Sequence, residues 1–252
     1  IFQETFEEKP TGFWLPELAF SMKVIPALAE MGIKWTVVDG PHVLNANKEM
    51  NRYELMYKPH YVEYNGQRII VIPRDRDISN AQQSGYNPVW LKKEIEQRIQ
   101  PHNNGDFLLT VATDGENGWF RHTGENAGFW GWFYEPLLYL LKKDSNFKFI
   151  ELTTIDDYLN QHPPKDTVVV EDGSWNVPEA PDDGRFLKWT GGEHRQKIWT
   201  HILETSKLLH EADEKAKGAS EAKAAIQQAW KWLLLAESSD NFWWGSKDWL
   251  NR

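Results

Sequence analysis

Cysteine is absent from the 252 residues. This excludes disulfides and thiolate chemistry and leaves the compartment open. No apolar run approaches the roughly 18 residues that a membrane span needs, so no membrane partner is expected. A cationic surplus is lacking too. The net charge is −9 and the pI near 5.4, which argues against nucleic acid or an anionic membrane as the main partner. The eight histidines form no HxxxH or HxH pair, so no metal and no cofactor are expected. No internal repeat is evident, and the one biased tract is a Lys/Ala/Glu-rich stretch around Glu211–Ala225. No secretory leader is visible, and the chain opens on Ile1 rather than Met. The expected compartment is the cytoplasm.

What is abundant is tryptophan, with 14 residues. A buried indole needs a partner for its N–H, so tryptophan is a demanding core filler. A surplus in an acidic chain fits flat platforms for the C–H faces of sugars. The densest region begins at the apolar run Phe107–Val111, which reads as a buried strand. It breaks into Thr113-Asp114-Gly115-Glu116-Asn117-Gly118-Trp119, followed by Phe120, Phe129, Trp130 and Trp132. Carboxylates at a strand's C-terminal mouth, walled by rings, are the layout of a polar site in an α/β fold.

The same pattern recurs along the chain. Phe13–Leu15 reads as a short strand stopped by Pro16, with Glu17 just past its end. Leu18–Met31 reads as a helix that Pro26 kinks or starts late. Ile33–Gly40 reads as a strand ending in Asp39. Residues 41–67 read as a polar excursion. Arg68–Pro73 reads as a strand ending in Arg74-Asp75-Arg76-Asp77, with Arg74 and Asp75 expected to pair with each other. Helices are expected over Val89–Ile99 and Pro136–Lys143, and strands over Phe147–Leu152 and Thr167–Val170. Thr154 is expected to cap a short helix, with Asp157 at its third position. Strand-helix-strand order within about 30 residues implies a parallel sheet. From Glu193 the pattern turns helical. Trp199, Ile202, Leu203, Leu208 and Leu209 supply one expected apolar face; Ala229, Trp230, Trp232, Leu233 and Ala236 supply the other.

Several of these segments resemble one family. Gly12-Phe13-Trp14-Leu15-Pro16-Glu17 is similar to the third of five motifs of glycoside hydrolase family 57. Thr113–Trp119 is similar to the fourth, and Ala236-Glu237-Ser238-Ser239-Asp240-Asn241-Phe242-Trp243 to the fifth. Arg74–Asn80, Gly173-Ser174-Trp175 and Phe186–Gly191 resemble the segments around motif four. The resemblance runs from about residue 12 to 244, in order and spacing.

The resemblance implies an α/β fold, an incomplete (β/α)7-type barrel over residues 1–192, with an α-helical segment over 193–252 packing on it. It implies retaining action on α-glucans, as an amylase, 4-α-glucanotransferase or branching enzyme, with an oligo- or polysaccharide as partner. Glu17 resembles the nucleophile and Asp114 the general acid/base. Trp14, Glu116, Trp119, Trp175, Asp240 and Trp243 are the expected substrate-binding residues. The family's opening His-Gln-Pro motif and its second motif are missing, so the chain is expected to be the C-terminal part of a longer enzyme. Two other classes stay open at this point. One is a non-catalytic or truncated glucan-binding barrel; the other is a metal-dependent mannosidase or polysaccharide deacetylase.

Overall fold

The computed structural model describes residues 2–102, 105–115, 130–175, 186–216 and 220–243, the side chains at 220, 221 and 243 excepted. Two compact units divide the chain, Ile1–Trp175 and Asn176–Arg252.

The first unit is built on a mixed sheet of β1 (Gly12–Phe13), β2 (Trp35–Asp39), β3 (His60–Tyr64) and β4 (Gln67–Arg74), in the order β1-β2-β4-β3. The β1–β2 and β2–β4 pairs are parallel, with Phe13 opposite Thr36 and Asp39 opposite Arg74. The β3–β4 pair is antiparallel. Its turn, Asn65-Gly66, has φ values of 49° and 74°, the left-handed pair that a tight hairpin turn requires.

Both faces of the sheet are covered, which is why β2 and β4 read as continuous apolar runs. On one face Val38, Val62, Ile69 and Val71 pack with Ile25, Leu28, Ile33 and Val43. On the other, Val37 and Ile72 pack with Leu18, Trp35, Ile70, Leu108, Ile155, Leu159 and Trp175. Strand periodicity places Asp39 and Arg74 on this second face. Gly12 makes the approach of β1 possible, because a Cβ there would collide with the Trp35 indole. That indole donates to Asp156 Oδ1 at 2.9 Å, and Thr11 Oγ1 donates to the other oxygen at 2.6 Å.

Several expectations are met. The helix expected over Leu18–Met31 starts late, as Ile25–Glu30, with Pro26 in its first turn. Thr154 Oγ1 accepts from Asp157 N at 3.1 Å and caps helix Ile155–Gln161. Others are corrected. Residues 41–67 hold helices Gly40–Ala46 and Arg52–Tyr57 and strand β3. Phe147–Leu152 is no strand: Asp144 accepts from Asn146 N and holds a 3-10 turn, Ser145–Phe147. Phe107–Val111 and Thr167–Val170 are reduced to single bridges, Arg74 with Thr110 and Tyr61 with Thr167, both parallel. The helix expected over Val89–Ile99 is α-helical over Pro88–Glu94 and widens to a π turn over Ile95–Ile99.

The second unit holds the helices Glu193–Lys215 and Ser220–Ala236, which pack together, and the short helices Leu187–Thr190 and Asp240–Trp243. Its core is Trp189, Ile202, Leu233 and Phe242, with the Trp199 and Phe242 rings stacked 4.7 Å apart. Leu203, Leu208 and Trp232, expected on apolar faces, are exposed. The buried stripe follows Ile198, Trp199, Ile202 and Leu209, and positions 203 and 208 lie off it at 3.6 residues per turn. Among the described residues no helix is long and apolar enough to cross a membrane.

Candidate active site

The parallel strands β1, β2 and β4 and the Thr110 bridge point the same way, so their C-terminal ends share one edge. Glu17 stands four residues past Phe13, and Asp114 four residues past Thr110. Asp39 and Arg74 occupy the ends of the two strands between them.

Glu17 sits in a 3-10 turn, Pro16–Leu18, with φ 59° and ψ 19°. Leu18 is also left-handed, at φ 47°. Two consecutive non-glycine residues in that region store strain of order 1–3 kcal/mol each. The conformation persists because its surroundings fix it. Leu18 is fully buried. Phe20 pairs with Gly173 through two backbone bonds of 2.8 and 3.0 Å, and Trp175 N donates to Glu17 O at 3.2 Å. Gly173 lies so close to His42 that a Cβ would strike the imidazole, whose Nε2 is 3.1 Å from Ser174 O.

The pairing of these segments delivers the Trp175 side chain to the carboxylate. Its indole Nε1–H donates to Glu17 Oε2 at 2.8 Å. This bond restrains the carboxylate through Oε2, and among the described residues Oε1 takes no hydrogen bond. Trp14 meets Trp175 edge-on, with ring centroids 5.5 Å apart, and is 41% exposed. On another side Arg74 Cζ lies 5.4 Å from the Trp175 ring centroid.

Arg74 is the centre of a buried polar network. Its Nη1 donates to Asp39 Oδ1 at 3.1 Å, its Nη2 to Asn80 Oδ1 at 3.1 Å and its Nε to Ala112 O at 2.6 Å. Arg76 donates to the other oxygen of Asp39, at 2.7 Å from Nε. Burial pulls the Arg74 guanidinium below its usual value, opposed by the Asp39 carboxylate. The expected Arg74–Asp75 pair does not form. Successive residues at a strand end face opposite ways. Asp75 instead caps Ile78 N at 2.9 Å and accepts from Tyr57 OH at 2.8 Å and from Arg98 Nη2 at 3.2 Å. Burial, with the Asp75 carboxylate beside it, pushes the Tyr57 phenol far up. A cleft of about 300 Å³ opens on that side, lined by Tyr53, Tyr57, Asp75, Arg76 and Arg98 among others; neither Glu17 nor Asp114 lines it.

Asp114 is half-buried, and the Thr113 hydroxyl donates to its backbone oxygen at 3.3 Å. Glu116 and Trp119 lie outside the described residues. Asp240 opens helix Asp240–Trp243 in the second unit, where Asn241 Nδ2 donates to Leu235 O and Ala236 O and closes the preceding helix. The backbone of Trp243 ends that short helix, and its side chain is outside the description. Among the described residues no three His, Asp or Glu side chains stand close enough to hold a metal ion.

Sequence reasoning missed Asp39, Asn80 and His42 as parts of this region. Asp39 was legible as a strand-end acid; its partner was not, because pairing it with Arg74 requires the β2–β4 register.

The family model for glycosyl hydrolase family 57 matches residues 1–171. The 4-alpha-glucanotransferase of Thermococcus litoralis is 26% identical over 93% of this chain, and the alpha-amylase of Pyrococcus furiosus 24% over 93%. The chain spans 37% of the length of each. The crystal structure of a GH57-type branching enzyme from Pyrococcus horikoshii aligns with 96% of this chain and 53% of its own, at TM-score 0.67 and 17% identity. That likeness concerns the fold alone. The family model, covering well over half of the sequence, decides membership: this chain belongs to glycosyl hydrolase family 57.

Proposed function

We propose that the chain carries the catalytic pair of a retaining glycosidase or transglycosylase acting on α-glucans, built on an incomplete (β/α)7-type barrel. Glu17 is the nucleophile and Asp114 the general acid/base. The observation that carries this reading is the state of Glu17. It is a strained, left-handed residue past a strand end, and among the described residues its carboxylate takes one bond, from an indole N–H to Oε2. Strain of this kind gathers at functional sites. The relatives, a 4-alpha-glucanotransferase and an alpha-amylase, support α-glucans as the substrate class.

In this mechanism Glu17 Oε1 attacks the anomeric carbon while the Asp114 carboxylic acid gives its proton to the glycosidic oxygen. The leaving saccharide departs with a free hydroxyl, and a glycosyl ester of Glu17 remains. Asp114, now a carboxylate, removes a proton from water or from an acceptor sugar hydroxyl, whose oxygen displaces Glu17 from the opposite face. Two inversions give net retention, which needs the two carboxyl groups about 5–5.5 Å apart. Trp14, half-exposed beside Glu17, is the stacking platform. Trp175 holds the nucleophile as well as walling the site. By the family resemblance Glu116, Trp119, Asp240 and Trp243 are further substrate-binding residues.

The test uses maltooligosaccharides and an aryl α-maltoside with a good leaving group. Glu17→Ala should lose turnover of both. Asp114→Ala should lose about 10²–10⁴-fold on the oligosaccharides while keeping most of the first step on the aryl substrate, and added azide should restore its turnover as the α-azide. Wild-type rates in both variants would sink the assignment. Products both longer and shorter than the substrate indicate transfer; shorter ones only indicate hydrolysis.

A further inference from the structure

We propose that Arg74 is a positioning residue for both carboxylates, holding Glu17 through the Trp175 ring and the Asp114 strand through the Ala112 carbonyl. The inference rests on the assignment of Glu17 and Asp114 made above. Trp175, which donates to Glu17, has the Arg74 guanidinium against its ring. Ala112, two residues before Asp114, has its carbonyl on Arg74 Nε at 2.6 Å. The two carboxylates belong to strand ends separated by β2 and β4. Backbone pairing alone therefore leaves their relation to the sheet's curl, whereas the guanidinium touches a support of each.

The planar fork suits this task. Its Nε, Nη1 and Nη2 bonds run to three different elements, Ala112, Asp39 and Asn80, so the plane cannot rotate without breaking one. The side chain is 3% exposed, which removes water as a substitute partner. A cation against an indole also withdraws charge from the ring and makes Nε1–H a stronger donor, so Arg74 tightens the bond to Glu17 as well as locating it. Lysine would keep the charge and lose the fork.

The test reads the indole N–H resonances of ¹⁵N-tryptophan-labelled protein, with Trp175→Phe identifying the Trp175 signal. Arg74→Lys should displace that signal from its wild-type position toward the one seen in Glu17→Gln. Arg76→Lys, which alters the other partner of Asp39, should leave it in place. On oligosaccharide, Arg74→Lys should lower kcat by about 10²-fold, the cost of a misplacement near 1 Å, with KM within about twofold. A Trp175 signal unmoved in Arg74→Lys overturns the proposal. If Arg74→Lys does not fold, Asn80→Ala removes only the Nη2 partner and should displace the signal in the same direction; no displacement there overturns it equally. A wild-type protein without glucan activity would defeat the functional assignment and leave the indole signal to decide the positioning role.

Discussion

Replacing Asp39 by alanine tests whether the buried network at the strand ends holds the first unit together. The carboxylate is fully buried, and both oxygens are used, Oδ1 by Arg74 and Oδ2 by Arg76. Its two partners differ in what they can do once it is gone. Arg76 is 26% exposed and can turn toward water. Arg74 is 3% exposed and pinned by Asn80 and Ala112, so it stays behind as a cation with neutral acceptors only. Breaking a buried pair in this way costs about 3–5 kcal/mol, because the remaining charge is uncompensated. An exposed pair such as Lys197–Glu193 is worth a few tenths. At roughly 2–4 °C per kcal/mol for a domain of this size, Asp39→Ala should lower Tm by roughly 6–20 °C.

Urea unfolding gives the free energy, with an unchanged m-value as the sign that only stability has moved. The double variant Asp39→Leu/Arg74→Met separates charge from packing. If the loss is an orphaned cation, the pair of apolar residues should recover most of the Asp39→Ala deficit, since a buried pair replaced by apolar side chains is often neutral or better. A loss in Asp39→Ala below about 1 kcal/mol, or a double variant no better than Asp39→Ala, would refute the reasoning.

Gly12→Ala should destabilise by about 1–3 kcal/mol, as overpacking does, since its Cβ meets the Trp35 ring and displacing that ring breaks the Trp35–Asp156 bond; a melt within 1 °C of wild type would count against it. His60 gives a pH signature. Burial lowers its pKa below the ordinary 6.5, against the opposing pull of the Leu55 and Glu54 carbonyls and Asp166. Those two carbonyls face Nε2 at 3.1 and 3.2 Å, so the neutral ring carries its proton there. A depressed histidine contributes stability that is complete above pH 6.5 and lost as pH falls from 6.5 toward the native value, by about 1.4 kcal/mol for each tenfold change in proton affinity. The stability difference between wild type and His60→Gln should therefore shrink between pH 7.5 and 5, and a constant difference would overturn the assignment.

The elements legible in the sequence were those whose signal is local. Strands β2 and β4 announced themselves as apolar runs, and Thr154 and Asp157 as a cap. One local signal was missed: Tyr64-Asn65-Gly66-Gln67 is a hairpin turn between apolar alternations, and it specifies the β3–β4 pair. The expected strand over Phe147–Leu152 failed because Asp144-Ser145-Asn146 bonds its own backbone, a competition that apolar content does not reveal. Segment Thr167–Val170 keeps a strand's alternation, with Val168 and Val170 buried and Val169 exposed, while making one bridge among the described residues. The pattern fixes which side chains turn inward, and it says nothing of how much ladder they find. The site followed the same division. Glu17 and Asp114, the proposed pair, stand out in the sequence as acids after apolar runs and by motif. The contacts around them, Asp39 to Arg74 over 35 positions and Trp175 to Glu17 over 158, depend on register and chain path.

The left-handed pair Glu17-Leu18 shows why such a site cannot be encoded locally. Neither residue favours that conformation, and the strain works against the turn they form. What opposes it is remote. Full burial of Leu18 between Val37, Ile72 and their neighbours contributes about 1.5–3 kcal/mol. The antiparallel bridge from Phe20 to Gly173 fixes the exit of the turn, and the Trp175 backbone N–H takes the Glu17 carbonyl. Only glycine can serve at position 173, because the His42 imidazole occupies the place of a Cβ. The supports come from β2, β4 and residues 173–175, all outside the turn, so the direction of the Glu17 carboxylate is a property of the packed unit. A carboxylate held against its own backbone preference by contacts remote in sequence is what the role proposed for Glu17 requires.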